Sequence, residues 1–402
     1  MKNIKYDISM IHSEGDKNFF CEMLPYVSEK IYSFKRIENV VTVEFNYEEY
    51  RQEIFDKVEI LKELTLEKSI QGVEEIECKM LFDKEGVKPR YKEPIFDYLK
   101  QTKNIFQVSN GLFAYGGLLL KIMEYFKLKV KELGVKKLKA KELQFPILFP
   151  VDSFRKGGYM ETFPHHIMFQ TTVKSDIEVL NKYAKDEKAK VRILEDHMCI
   201  PQNVIKHAAC GPIYPSIENM QIDDESLPLA FFIMDKCFRN ESSNVFELAR
   251  LNEFSMAEIV FVGSAEQTRE EIKKAMRLWY YWSDVFELNC SIKTANDSFF
   301  AGNYKKLKLF QLLGDSKQEF RWLLPYCNTY ISCSSVNFHR THFARKYNIK
   351  NKESYCQTAC IAFGIERLAY AFLAQHGCNP KNWSSKVYKE IKEYIDLNDI
   401  DT

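Results

Sequence analysis

LAFFIMDKCFRNE, at residues 229–241, is an apolar run that ends on an aromatic residue, an arginine and, two positions later, a glutamate. Its apolar part, Leu229–Phe238, predicts a β-strand, and after a polar loop Ala257–Val262 predicts a second strand, so that the two form an antiparallel hairpin. Because side chains along a strand alternate between the faces of a sheet, Arg239 and Glu241 would point to the same side. There the guanidinium can bind a phosphate, and the carboxylate can accept a hydrogen bond from an amine. Taken alone, the two residues fit a structural ion pair at least as well.

A second pattern lies roughly 120 residues further along the chain, in CIAFGIERLA at residues 360–369. An apolar strand reaches Gly364, and a helix then begins with Arg367 in its first turn. The N-terminus of a helix, together with an arginine, favours binding of an anion. The two patterns, in this order and at this distance, resemble motifs 2 and 3 of the class II aminoacyl-tRNA synthetases.

This resemblance implies an α+β fold, in which a mostly antiparallel sheet of about six strands is flanked by helices. It also implies ATP and Mg²⁺, because attack of a carboxylate on ATP builds negative charge that cations must stabilise. By the matching positions, Arg239 would hold the α-phosphate and the reacting carboxylate, and Glu241 would read the adenine amine. Phe254 would stack on the adenine, Arg250 would bind the outer phosphates, and Arg367 would bind these phosphates and cover the ring.

Eleven cysteines are scattered along the chain without a CxxC pair, and packing in the core is the ordinary role of any one of them. Three residues, Cys210, Glu258 and Cys360, nevertheless resemble the zinc ligands of the methanogen-type seryl-tRNA synthetases, a subgroup of class II. Three protein ligands would leave one tetrahedral position of Zn²⁺ open, and the α-amine of an amino acid would fill it. The histidines that remain as rival ligands are His197, His207, His339 and His342.

Three further regions resemble the amino acid:[carrier protein] ligases, which are truncated relatives of those seryl synthetases: residues 145–150 with 156–164, residues 296–300, and residues 334–339. This resemblance covers about residues 105–376 and implies that glycine, alanine or a similar small amino acid is activated as its adenylate. The acyl group would then pass to the phosphopantetheine thiol of an acyl or peptidyl carrier protein. Since carrier proteins are typically acidic, the lysine-rich stretch Lys127–Lys141 is either a docking face or simply a solvated helix face.

Two other functions stay open. A seryl-type tRNA synthetase would share the same motifs, although a net charge of only +1 is less typical of a protein with a large tRNA footprint. A non-catalytic paralogue that senses an amino acid would also share the fold. Such a protein needs no phosphate-binding arginines, and Arg239, Arg250 and Arg367 are all present, which favours an active enzyme.

Composition and domain organisation complete the prediction. The chain has 402 residues, of which 46% are hydrophobic and 28% charged, as in ordinary globular proteins. It contains no uninterrupted apolar stretch that could span a membrane and no apolar signal-peptide core, so we expect a cytoplasmic protein. Residues 1–90, which include the amphipathic helical stretch Glu48–Leu66, would form a small α/β module, and residues 91–402 the catalytic domain.

Two expectations about the catalytic domain come from the resemblance alone. Residues 145–164 correspond to the region through which class II enzymes form homodimers. An acidic residue is expected to hold Mg²⁺, and Glu319 is the best candidate, with Arg321 two positions further along the chain.

Overall fold

The computed structural model describes residues 2–66, 78–185, 197–295 and 316–397. Its strands, in chain order, are β1 Lys2–Asp7, β2 Ile31–Ile37, β3 Val40–Phe45, β4 Met80–Asp83, β5 Ile105–Ser109, β6 Leu112–Tyr115, β7 Lys141–Leu143, β8 Leu148–Pro150, β9 Met168–Gln170, β10 Asn203–Ile205, β11 Leu229–Phe238, β12 Glu253–Gly263, β13 Cys290–Thr294, β14 Lys317–Leu324, β15 Thr329–Arg340 and β16 Gln357–Gly364. Its helices are α1 Glu14–Met23, α2 Arg51–Leu66, α3 Phe96–Gln101, α4 Gly117–Lys131, α5 Val151–Lys156, α6 Tyr159–Thr162, α7 Ile177–Lys185, α8 Ile213–Ser216, α9 Ala265–Val285, α10 His342–Lys346, α11 Ile365–His376 and α12 Ser385–Lys392. Within these ranges no helix has both the length and the apolar composition that a membrane span requires.

Eight strands form the central sheet, in the order β4-β13-β14-β15-β16-β12-β11-β7. Neighbouring strands run antiparallel except for β11 and β7, which pair in parallel. The mostly antiparallel sheet predicted from the motifs is therefore confirmed, with eight strands instead of about six. The edge strands β4 and β7 have only four and three residues, which is too short to show a period in the sequence.

The predicted hairpin, formed by β11 and β12, lies between β7 and β16 in this sheet. β11 has the predicted bounds, whereas β12 begins at Glu253 and ends at Gly263, so that it is longer than the predicted strand at both ends. Ten residue pairs join the two strands over the full length of β11. The ladder therefore ends directly at residues 239–252, the motif 2 loop, which carries Arg239, Glu241 and Arg250.

One face of the central sheet is covered by α4, α9 and α11. The sequence pattern of Glu266–Phe286 predicts a helix, and α9 begins and ends one residue earlier. Its N-terminus is capped reciprocally, because the Ser264 hydroxyl accepts from the backbone amide of Gln267 and the Gln267 side chain accepts from the backbone amide of Ser264. Trp279 and Trp282 of α9 are fully buried in an aromatic core. The helices on this side hold the sheet in place. The cavity described below lies on the opposite face of the sheet.

The opposite face carries a second, three-stranded sheet in the order β8-β10-β9 and the short helices α5, α8 and α10. Of the apolar stretch at residues 145–150, only the last three residues form a strand, β8. Tyr214 of α8 stacks on Phe343 of α10 with a ring separation of 4.0 Å. Cys210 and Cys360 are buried in this same apolar cluster, which places two predicted metal ligands together.

The first strands form a separate unit. β1, β3 and β2 make a three-stranded antiparallel sheet that shares one apolar core with α1 and α2. Its helix α2 matches the predicted stretch after a short 3₁₀ turn at Glu48–Tyr50. β4, also within the first 90 residues, instead joins the central sheet by pairing with β13. Residues 2–66 are therefore called the N-terminal module below.

The lysine-rich stretch Lys127–Lys141 begins in the last turn of α4, continues through a π-helical turn and ends at the first residue of strand β7. Within it, four lysines pair with carboxylates of the chain itself: Lys127 with Glu124, Lys129 with Glu390, Lys131 with Glu142, and Lys137 with Glu132. These pairs neutralise much of the positive charge. The stretch therefore offers an acidic partner less attraction than the sequence suggests.

Lys129 is the buried member of this stretch, and its replacement tests the packing of α4 against α12. The side chains of Lys129 and Glu390 are only 9% and 7% exposed, and their charged atoms lie 2.8 Å apart. Lys129→Met would leave the Glu390 carboxylate buried without its cation, so we expect the free energy of unfolding to fall by about 3 kcal/mol in chemical denaturation. Lys127→Met, which breaks a more exposed pair, is the control and should cost about 0.5 kcal/mol or less. Equal losses in the two variants would contradict a structural role of the buried pair.

Candidate functional site

A cavity of about 850 Å³ opens on the face of the central sheet that carries the second, smaller sheet. Its lining includes the residues that the resemblance assigns to ATP and zinc: Cys210, Arg239, Glu241, Arg250, Phe254, Glu258, Cys360 and Arg367. They come from β12, β16, α11, the motif 2 loop and the turn before α8. The structure thus brings together residues that are far apart in the sequence.

At one end of the cavity, Cys210, Glu258 and Cys360 are buried together, and their thiol and carboxylate ligand atoms lie within 4.8 Å of one another. The backbone amides of Ala209 and Cys210 donate to Oε1 of Glu258, at 2.9 and 3.2 Å. These hydrogen bonds hold the carboxylate beside the two thiols. We call these three residues the three-ligand group.

The charge balance of the three-ligand group favours a cation. Burial raises the pKa of the Glu258 carboxyl, and the contact with Cys360, together with burial, raises the pKa of the Cys210 thiol well above its usual range. The anionic forms are disfavoured because three acidic groups are buried together, with no cationic side chain among the described residues paired with them. Two thiolates and a carboxylate are a ligand set that suits Zn²⁺ and would leave a fourth, open position, so the residues fit this metal.

The rival histidines lie around the three-ligand group but outside it. His207, His339 and His342 line the cavity, whereas His197 is not among its lining residues. Within the described ranges, the three-ligand group is the one set of three or more His, Cys, Asp or Glu side chains whose ligand atoms all lie within 4.8 Å of one another. Nε2 of His339 lies 3.7 Å from the Cys360 thiol, which makes it a neighbour of the group.

At the other end, Arg239 follows directly after β11 and faces Phe254, which pairs with Cys237 across the hairpin. Nε of Arg239 donates to the backbone carbonyl of His207 at 3.2 Å, and its guanidinium lies 5.2 Å from the centre of the Phe254 ring. Burial and the charge of Arg239 lower the pKa of His207 to about 3, so the imidazole is neutral. Arg239 is thus held by a carbonyl and an aromatic face, and neither contact neutralises its charge.

Arg367 lies in the first turn of α11, as the sequence predicts. Its Nε donates to the carbonyl of Ala249 at 2.5 Å, and its Nη1 donates to the carbonyl of Ser332 at 3.0 Å. Burial and the nearby charge of Arg250 lower the pKa of this guanidinium. Backbone carbonyls therefore fix its orientation, and an anionic ligand would supply the missing counter-charge.

Arg250 differs from the other two arginines because two carboxylates bind it. Its Nε donates to Glu241 at 2.7 Å, and its Nη2 donates to Glu22 at 2.6 Å. Although burial opposes it, these two carboxylates raise the pKa of Arg250. Glu22 belongs to the N-terminal module and also lines the cavity. Sequence reasoning missed it, since no motif surrounds it and it is 228 residues away from Arg250.

The remaining predicted positions lie around the same cavity. Glu319 lines it and pairs with Lys317 at 3.2 Å. Arg321, on the same strand, donates instead to the carbonyl of Tyr330 at 3.1 Å. Every residue of the stretch 334–339 except Val336 lines the cavity, whereas the stretch 296–300 lies outside the described residues.

Several known proteins are similar to this chain. Residues 200–376 match the family described as the tRNA synthetase class II core domain (G, H, P, S and T). The type-2 serine–tRNA ligase of Methanocaldococcus jannaschii is 28% identical over 269 residues, which are 64% of this chain and 51% of that protein. The corresponding protein of Methanococcus maripaludis is 26% identical over 293 residues, 70% of this chain and 56% of that protein. The chain therefore spans about half the length of the curated relatives that it matches.

Solved structures resemble this chain over most of its length. The Methanopyrus kandleri seryl-tRNA synthetase in complex with Aquifex aeolicus tRNASec superposes with a TM-score of 0.71 at 21% identity, covering 92% of this chain and 75% of that chain. The Pyrococcus horikoshii seryl-tRNA synthetase complexed with ATP superposes with a TM-score of 0.57 at 13% identity, covering 85% and 80%. At these identities the similarity concerns the fold. The chain thus has the fold of the class II tRNA synthetase core.

Proposed function

We propose that this chain activates a small amino acid with ATP, as a seryl-type tRNA synthetase does, and forms the aminoacyl-adenylate and pyrophosphate. The observation that carries the proposal is that the three-ligand group shares one cavity with the guanidiniums of Arg239 and Arg367, which form no ion pair within the described part of the chain. A metal at the first would hold an amine, and the arginines would hold phosphates. An amino acid and ATP are the ligands that need both.

In the reaction, a carboxylate oxygen of the amino acid bonds to the α-phosphorus of ATP, and the bond to the leaving pyrophosphate breaks. Negative charge grows on the α-phosphate oxygens, and Arg239, held in place by the His207 carbonyl, would stabilise it. Arg367 would bind the outer phosphates from the start of α11. Because both side chains are already oriented, little reorganisation is needed as the charge develops.

Glu241 and Phe254 supply the adenine site in this proposal. The Glu241 carboxylate is buried and would accept a hydrogen bond from the adenine amine, while Arg250 holds it at 2.7 Å. The Phe254 ring, exposed to the cavity, would stack on the base. Arg250 has the further role of binding an outer phosphate.

Two metals are implied by the family, and the residues fit both. Cys210, Glu258 and Cys360 would hold Zn²⁺, which when bound acts as a Lewis acid toward the unprotonated α-amine. Glu319 would hold Mg²⁺, which neutralises phosphate charge. The buried three-ligand group would thereby reject acids that lack an amine, and selection among small amino acids is left to the remaining walls of the cavity.

The acceptor of the acyl group is proposed to be tRNA. Support comes from the relatives, which are serine–tRNA ligases, and from the solved neighbour in complex with tRNASec. Transfer to a carrier protein, the acceptor favoured by residues 145–164 and 334–339, has no support among these relatives and is kept as the second candidate. The resemblance of residues 145–164 also supports a homodimer.

Amino-acid-dependent exchange of pyrophosphate into ATP tests activation. Exchange should occur with serine, glycine or alanine, and glycolate or lactate should not replace them. Arg239→Gln should lower the exchange rate about 100-fold or more, because it removes the charge that faces the α-phosphate. Arg321→Gln is the control and should stay within about 3-fold of the wild-type rate, since that guanidinium donates to the Tyr330 carbonyl. Absence of exchange in the wild-type protein would favour the amino-acid sensor.

Metal content tests the three-ligand group independently of activity. The purified protein should contain about one Zn²⁺ per chain by elemental analysis, and Cys360→Ser should lower this about 10-fold. Cys237→Ser removes another buried cysteine, outside the group, and should leave the zinc content unchanged. Equal zinc in the two variants would place the metal elsewhere.

The acceptor is tested with radiolabelled amino acid and ATP. We expect label on serine tRNA and none on a carrier protein that bears phosphopantetheine. Periodate-oxidised tRNA and carrier protein without phosphopantetheine are the controls for the two acceptors. Label on the thiol of the carrier alone would replace the tRNA synthetase proposal with that of an amino acid:[carrier protein] ligase.

A further inference from the structure

The N-terminal module is attached to the motif 2 loop by its residues 22–26. Besides the contact between Arg250 and the Glu22 side chain, three hydrogen bonds join it to the loop: Asn244 Nδ2 donates to the Glu22 carbonyl, Ser242 Oγ to the Pro25 carbonyl, and Tyr26 Oη to the Asn240 carbonyl, each at 3.0 Å. The Tyr26 ring also packs edge-on against His165, with a ring separation of 4.9 Å. The module thus contacts the rim of the cavity at the end where the arginines lie.

From this position, the side chain of Glu22 reaches into the cavity and binds Arg250. Two donors of that guanidinium are taken by carboxylates, Nε by Glu241 and Nη2 by Glu22. The two carboxylates differ in burial, because the Glu241 side chain is 5% exposed and the Glu22 side chain is 28% exposed. Water can therefore solvate Glu22 at lower cost when its contact with Arg250 breaks.

The motif 2 loop is held by contacts other than those with the module. The hydroxyls of Tyr326 and Tyr370 both donate to the carboxylate of Glu247 in the loop. The amide of Glu241 donates to the side chain of Asn252 at 2.9 Å. The loop, and with it Arg250, can therefore keep its place if the module moves away.

We propose that Glu22 is an internal competitor of ATP: its carboxylate occupies the Nη2 donor of Arg250 that an outer phosphate would use. The inference rests on the proposed function, since it takes Arg250 as a phosphate ligand. A phosphate and a carboxylate bind the same face of a guanidinium through the same kind of charge-assisted hydrogen bond. ATP binding therefore displaces Glu22, and the affinity for ATP is set partly by the contact between the module and the loop.

Displacement of Glu22 also weakens the attachment of the N-terminal module. With Glu22 displaced, the attachment of residues 22–26 loses its ionic contact and retains neutral hydrogen bonds, which contribute less. Nucleotide binding is thus coupled to release of the module from the cavity rim. Conversely, any partner that draws the module away would raise the affinity for ATP, because linkage between two binding events is reciprocal.

Binding of the non-hydrolysable analogue AMPPNP with Mg²⁺, measured by calorimetry, tests the competition. Glu22→Gln should bind AMPPNP about 3- to 10-fold more tightly than the wild-type protein, since a neutral amide holds Arg250 less strongly. Glu14→Gln is the matched control: it lies on the same helix and removes the same charge, but its partner is Arg36, at 2.8 Å. It should change the affinity by about 2-fold or less.

Hydrogen–deuterium exchange gives a second measurement on the same proteins. Saturating AMPPNP should speed exchange of the amides in residues 20–26 of the wild-type protein, and in Glu22→Gln that exchange should already be fast without nucleotide. An affinity for AMPPNP that is unchanged or weaker in Glu22→Gln would overturn the inference and leave the nucleotide site in place. Slower exchange of residues 20–26 on nucleotide binding would also overturn it. Failure of all three proteins to bind AMPPNP would overturn the nucleotide site and the inference together.

Discussion

In the antiparallel ladder between β12 and β16, Glu258 and Cys360 occupy diagonal positions on one face of the sheet. A slip of one residue would turn one of these side chains into the aromatic core on the opposite face, because the side-chain period of a strand is two. The same ladder ends where Gly364 leads into α11, and this junction sets the position of Arg367. A single strand register therefore positions both ends of the cavity relative to each other. The whole ten-pair hairpin contributes to this register, since β12 is held between β11 and β16.

The two ends of the cavity carry groups of opposite charge type: acidic thiols and a carboxylate at one end, guanidiniums at the other. At one end, Cys210 and Glu258 have raised pKa values because acidic groups meet in a buried place. At the other end, Arg367 has a lowered pKa because it is buried near other guanidiniums. Neither set of charges is balanced within its own end, so a cation at the first and an anion at the second would both be stabilised. This polarity matches a substrate pair with a metal-bound amine on one side and phosphates on the other.

The positive charge of Arg250 is paired with two carboxylates, Glu241 of the motif 2 loop and Glu22 of the N-terminal module. Through Glu22, a part of the chain with its own core contributes a charged side chain to the cavity of the domain with the class II fold. The site is therefore built from the class II core and from a module beyond the matched residues 200–376. Resemblance to the core alone points to the arginines and omits the Glu22 carboxylate that Arg250 binds.

The sequence by itself predicted the central hairpin and helix α9 from local patterns, and its resemblance to the class II synthetases singled out eight residues that line the cavity. The tertiary structure alone decided which partners these residues have. The Lys129–Glu390 pair and the Glu22–Arg250 pair join residues 261 and 228 positions apart, and no periodicity connects such positions. The short edge strands β4 and β7 likewise exist because a neighbouring strand offers hydrogen bonds, which a run of three or four residues does not reveal. Local patterns specify elements and residue types, whereas the pairing of charges depends on how distant elements pack.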